Sequence, residues 1–135
     1  DEKKLINSML EKDLADLPQK PVWVDGSGLS RYNLITPRDL VIILDKLLEN
    51  AGKERILKIF PSGGKGTLKG LFEAPKPTFF AKTGSMDHIY ALSGYFFSRN
   101  DKLMIFSVLI NNHSHKTTAV RRSIEQMLLQ IRNSL

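Results

Sequence analysis

The chain has 135 residues, enough to build one hydrophobic core, and its 41% hydrophobic and 25% charged residues are those of an ordinary folded domain rather than a disordered or repetitive one. No apolar run approaches the roughly 18 residues that a membrane-spanning helix needs, and the absence of Cys excludes disulfides, thiolate metal sites and cysteine nucleophiles. Lys and Arg outnumber Asp and Glu by 20 to 14, a net charge of +6, but the bases are scattered along the chain, so nucleic-acid binding is not expected.

The chain opens on Asp1-Glu2-Lys3-Lys4, which is neither an initiator methionine nor a signal peptide. It reads as a piece of a longer protein. Leu5, Ile6, Met9, Leu10, Leu14 and Leu17 recur at helical spacing and predict an amphipathic helix over residues 2–17, ended by Pro18 and Pro21. Val22-Trp23-Val24 predicts a short buried strand. It leads into Asp25-Gly26-Ser27-Gly28, a turn that needs unusual backbone angles. Thr36-Pro37-Arg38-Asp39 is a helix start, with Thr36 at the cap and Pro37 at the first helical position. Leu40, Ile43, Leu44, Leu47 and Leu48 carry that helix's apolar face, and Asn50 and Gly52 close it.

Residues 54–60 suggest a short helix or an extended piece, and the glycines of 61–70 suggest a slack loop. Three strands are expected at Thr78–Gly84, Ile89–Ser98 and Lys102–Asn111, joined by the short turns Met86-Asp87-His88 and Arg99-Asn100-Asp101. Residues 117–135 form a last amphipathic helix with Val120, Ile124, Met127, Leu128 and Ile131 on one face. The expected class is α+β: an antiparallel sheet covered by helices.

Several motifs dissolve on inspection. Gly63-Gly64-Lys65-Gly66-Thr67 lacks the spacing of a phosphate loop, and Gly28-Leu29-Ser30-Arg31-Tyr32 puts Tyr32 where a nucleophile elbow needs glycine. His113-Ser114-His115 has no acidic neighbour and no third ligand, so no metal site is expected there. Two segments remain. Along a strand, Lys82 and Gly84 of Lys82-Thr83-Gly84-Ser85 share a face; Lys82 can hold a carboxylate, with hydroxyls of Thr83 or Ser85 beside it and room at Gly84 for an extended peptide. The other is the long run Asp25-Gly26-Ser27-Gly28-Leu29-Ser30-Arg31-Tyr32-Asn33 with Thr36-Pro37 behind it.

Together these two segments resemble the second and third signature motifs of the class C low-molecular-mass penicillin-binding proteins, the D-alanyl-D-alanine carboxypeptidase/endopeptidase group. Lys82-Thr83-Gly84 matches the K-T-G box, the Asp25–Asn33 run looks like the S-x-N region, and Tyr90-Ala91-Leu92-Ser93-Gly94-Tyr95 follows as in the family. The resemblance covers residues 20–135. It implies part of a penicillin-binding-protein/β-lactamase-like transpeptidase domain in the cell envelope, a serine-type peptidase acting on peptidoglycan stem peptides and binding β-lactams, with no metal or cofactor. It implies Ser30 as proton relay, Lys82 as its partner and carboxylate anchor, Thr83, Gly84 and Ser85 as substrate contacts, the Ser85 N–H as half of an oxyanion hole, and Asn33 as holder of the substrate amide. Asn33 stands three places after Ser30 instead of two, with Tyr32 at the expected spot.

The family's first motif, S-x-x-K, supplies the acylated serine. Its only match here, Ser62-Gly63-Gly64-Lys65, lies between the other two motifs and in the glycine loop, and is read as coincidence. The nucleophile is therefore expected upstream, making residues 1–135 a C-terminal fragment. The alternative is a non-catalytic peptide- or glycan-binding module of the cell wall that keeps the cleft without the nucleophile.

Overall fold

A computed structural model describes residues 1–135. Four helices, α1 (Glu2–Lys12), α2 (Pro37–Ala51), α3 (Lys53–Ile59) and α4 (Thr117–Ser134), accompany three strands, β1 (Phe79–Met86), β2 (Ile89–Phe97) and β3 (Leu103–Asn111). The strands form one antiparallel meander in the order β1-β2-β3. This is the α+β class read from the sequence.

Alternation along the strands gives the sheet two buried faces. Phe79, Ala81, Tyr90, Leu92, Phe96 and Phe106 pack on one side against Val120, Ile124 and Leu128 of α4 and against Leu68, Leu71 and Phe72 of the preceding loop. Phe79 stacks between Phe72, at 4.1 Å, and Phe96, at 5.3 Å. On the other side Tyr95 packs with Leu44 of α2 and Ile56 of α3. At Gly94 the strands crowd: a Cβ there would lie 2.2 Å from the Phe80 carbonyl oxygen. The register of β1 on β2 therefore depends on that missing side chain.

The start of α2 is as expected. Thr36 Oγ1 accepts from the Asp39 N–H (3.1 Å) and donates to Asp39 Oδ2 (2.7 Å). Asp39 is fully buried, and its other oxygen accepts from the Gln19 N–H, which ties the linker after α1 to this helix start.

Four expectations need correction. The first helix ends at Lys12, not at residue 17, because the Lys46 ammonium takes the Asp13 carbonyl (3.0 Å) and the Asp16 carboxylate (2.7 Å) and so stabilises a turn there. Leu17 is buried all the same, delivered by that turn. Val22–Val24 is not a buried strand: only Val22 bridges to Leu34, and Val22 and Val24 stay 49% exposed. The glycine loop is not slack. Gly63 is buried with no room for a Cβ, which would meet the Phe72 carbonyl at 2.4 Å, and the Gly64 N–H donates to the carbonyls of Leu68 and Leu71. Finally, Met127 and Ile131 lie at the rim of the α4 stripe, 41% exposed, since three residues per face suffice to cover so narrow a sheet.

Burial holds the Tyr95 phenol up at about 12, with the Asp45 charge pushing the same way, while its hydroxyl donates to the Leu44 carbonyl (2.6 Å). Burial also raises Tyr90. An acid whose folded value exceeds its ordinary value of 10.0 leaves stability intact below that pH and withdraws it as pH rises toward 12. The melting temperature should fall between these limits, and Tyr95→Phe should flatten that fall while lowering stability near pH 7 by about 1 kcal/mol, as read by thermal denaturation followed by circular dichroism.

Candidate functional site

The loop from Asp25 to Asn33 is locked by its own side chains. Asp25 Oδ1 accepts from the Ser27 N–H (3.0 Å) and hydroxyl (2.7 Å), and Ser27 Oγ accepts from the Leu29 N–H (3.0 Å). Gly28 takes the left-handed conformation that the turn requires, φ +72°. The Ser27 hydroxyl bond is the main reason the Asp25 carboxyl is held below its ordinary value, with the Ser27 and Asn33 N–H groups helping. The Asp25 carbonyl receives the Trp23 indole N–H (2.7 Å), and Glu2 accepts from the Gly26 N–H (2.7 Å).

Asn33 is spent on the same loop. Its Oδ1 accepts from the Val24 N–H (2.8 Å), and its Nδ2 donates to the Asp25 carbonyl (3.2 Å). Ser30 Oγ accepts from the Tyr32 N–H (3.2 Å), which leaves its own proton free to be donated, and Tyr32 is exposed. Arg31 reaches across to donate to the Asp87 carbonyl (2.9 Å), at the tip of the β1–β2 hairpin. That bond clamps the loop over the end of β1. The resemblance assigns Arg31 no role; its signal in the sequence is only a cation in a loop rich in hydrogen-bonding residues.

β1 is the sheet edge, and half of its outer side is occupied. The Ala81 N–H donates to the Pro61 carbonyl and the Gly63 N–H to the Phe79 carbonyl, both at 2.9 Å. Antiparallel alternation puts the peptide groups of Thr83 and Ser85 on that same outer side, beyond the paired stretch. There the Lys82 ammonium folds back onto the Thr83 carbonyl at 2.6 Å. A cleft of about 380 Å³ lies between the loop and this strand, lined by Ser30, Arg31, Asn33, Gly84, Ser85 and Ala91 among others. Ser30, Asn33, Gly84 and Ser85 thus share one cleft, whereas Lys82 and Thr83 stand outside its lining.

Ser62 bridges to Phe80 in extended conformation, and Lys65 is exposed at the start of a single 3₁₀ turn, Gly66–Leu68. The histidines bond to backbone: His88 Nδ1 with the His113 carbonyl (2.9 Å) and His113 Nδ1 with the His115 carbonyl (3.0 Å). No group of three or more His, Asp or Glu side chains is placed to hold a metal ion. An apolar groove of about 300 Å³ between α1 and α2, walled by Met9, Trp23, Leu34 and Ile43, carries no titratable side chain.

A family model described as D-Ala-D-Ala carboxypeptidase 3 (S13) matches residues 4–133. D-alanyl-D-alanine carboxypeptidase DacB of Haemophilus influenzae is 33% identical over 98 residues, 69% of this chain and 20% of that protein. The crystal structure of penicillin binding protein 4 from the same organism superposes with a TM-score of 0.82 at 26% identity, over 96% of this chain and 31% of that one. The same protein complexed with a novel β-lactam gives 0.80 at 27% identity, over 94% and 32%. The chain thus spans about a fifth of the length of the curated relatives it matches.

Because Asn33 fastens the loop internally, Asn33→Ala should act first on the loop. Amide exchange at Val24 should quicken by about tenfold or more while the sheet amides keep their protection, as followed by hydrogen exchange and NMR.

Proposed function

As the chain belongs to the D-Ala-D-Ala carboxypeptidase 3 (S13) family, we propose that it is the C-terminal part of a serine-type, penicillin-binding peptidase that opens D-Ala-D-Ala bonds of peptidoglycan stem peptides, or their cross-links, outside the cytoplasm. No helix here is long and apolar enough to cross a membrane. The observation that carries the reading is the half-paired β1: a strand edge whose outward peptide groups, at Thr83 and Ser85, have no backbone partner and adjoin a cleft that also holds Ser30.

An extended peptide can add to such an edge by main-chain hydrogen bonds. Gly84 keeps the wall low, since a Cβ there would meet only the Ala91 side chain, at 3.5 Å. The Ser85 N–H serves as one donor to the carbonyl oxygen as negative charge develops on it. Ser30, with its hydroxyl proton uncommitted, passes a proton toward the leaving amine. Lys82 leaves the Thr83 carbonyl to meet the substrate's terminal carboxylate, and the incoming peptide N–H takes over that carbonyl. Asn33 acts by holding the loop in shape rather than by touching the substrate.

The acylated serine and its activating lysine belong, in this proposal, to the part of the relatives that the chain does not span. Ser62 is a poor substitute: its extended backbone lacks the helix start that would present it to a base. Ser30 faces the leaving group rather than the carbonyl carbon.

Two measurements test this. Intact-mass spectrometry of the chain after incubation with a labelled penicillin should show no covalent adduct; a label on Ser62 or Ser30 would overturn the assignment of roles. A stem peptide ending in D-Ala-D-Ala should give saturable NMR shifts at Thr83, Gly84 and Ser85. Ser85→Pro removes an outward N–H without breaking the ladder to β2, and should weaken that binding about tenfold. Shifts that appear elsewhere, or none, would sink the edge-addition reading.

A further inference from the structure

The face of the sheet away from the cleft carries a second polar pocket. It measures about 180 Å³ and is lined by Lys69, Gly70, Leu71, Thr118, Arg121 and Arg122, three cations with no carboxylate among them. Arg121 is anchored: its Nη2 donates to the Thr67 carbonyl (2.9 Å), and its guanidinium lies beside the buried Tyr90 phenol. Its Nε is buried and has no hydrogen-bond partner. Glu125, the carboxylate next to the pocket, is already engaged by the Phe72 N–H (2.6 Å) and by Arg122 (2.9 Å). The first turn of α4 contains no acidic residue and its start has no side-chain cap, so its positive end adds to the same field.

We propose that this pocket binds a phosphate group, free or carried as an ester, independently of the peptide cleft. Three lining cations, one of them shared with Glu125, a Thr118 hydroxyl and a helix start suit a dianion with three or more acceptor oxygens better than a carboxylate with two. Arg121 supplies an ordered guanidinium whose Nη1 remains to be offered, since Nη2 is held on Thr67 and Nε is buried. Lys69 and Arg122, both exposed, flank the ligand from the two sides, Arg122 keeping Nη1 on Glu125 and offering Nη2. α4 packs on the face of the sheet opposite the Ser30 cleft, so occupancy of one site leaves the other open.

Inorganic phosphate, titrated at constant ionic strength against chloride, should give saturable NMR shifts at Gly70 and Thr118. The double variant Lys69→Gln, Arg122→Gln keeps Arg121 on Tyr90 and should bind at least about tenfold more weakly. A charge-matched control, Arg55→Gln with Lys58→Gln on α3, should bind as the parent does. Equal loss in both variants, or shifts that never saturate, would reduce the effect to general screening and overturn the site. Vesicles of phosphatidylglycerol separate the sources. Sedimentation with them that phosphate competes away assigns a lipid headgroup; phosphate binding without sedimentation assigns a free or soluble ester. Absence of both overturns the proposal.

Discussion

The backbone of Pro61–Gly63 pairs with the first half of β1 and stops, and everything the cleft offers follows from where it stops. An exposed strand edge is a row of unpaired donors and acceptors, a hazard that proteins normally cover. Here the cover ends because Gly64, at φ +78°, turns the chain away and gives its N–H to Leu68 and Leu71 instead. Gly63 can make that approach only without a side chain, since the Phe72 carbonyl fills the space. Two glycines therefore set the boundary between the closed part of β1 and the open part at Thr83–Ser85.

An open edge needs a wall if it is to bind one ligand in one orientation. The Asp25–Asn33 loop supplies it, and the loop owes its shape to short polar contacts rather than to a core. Its large apolar side chains, Leu29 and Tyr32, are exposed, so packing cannot hold it. Asp25, Ser27 and Asn33 do so, with Arg31 pinning the loop to the hairpin tip. Such a loop is stiff where its hydrogen bonds close and exposed everywhere else, a combination suited to presenting Ser30 at a fixed height above Gly84.

The strands, the turns and the α2 start were legible in the sequence because each rests on local chemistry: β-branched and aromatic runs, short polar turns, the Thr36–Asp39 cap. The overlong first helix was not, because its end depends on Lys46, a residue far along the chain that binds Asp13 and Asp16. The same limit governs the site. The motif runs put Ser30 in one cleft with Lys82 through Ser85; Gly84 and Ser85 do line it with Ser30, whereas Lys82 and Thr83 do not. The loop duty of Asn33 was not legible, because spacing says where an amide stands and not which backbone groups compete for it. The glycine loop was misjudged for the converse reason: four glycines near Ser62 signal freedom in isolation, whereas here close contacts with Phe72 and β1 remove it.

The position of Lys82 shows how the pieces interact. The Thr83 carbonyl faces outward on the unpaired part of the edge, and the four-carbon ammonium arm of the neighbouring Lys82 satisfies it. A peptide that adds to the edge offers a better-placed N–H to that carbonyl and a carboxylate to the ammonium. One binding event thus exchanges a contact within the strand for two contacts with the ligand. A peptide without a terminal carboxylate gains only the first of them while still displacing the lysine. In the proposed function, discrimination for chain ends over chain interiors would then arise from the strand itself, because Lys82 and the acceptor it must release are neighbours in sequence.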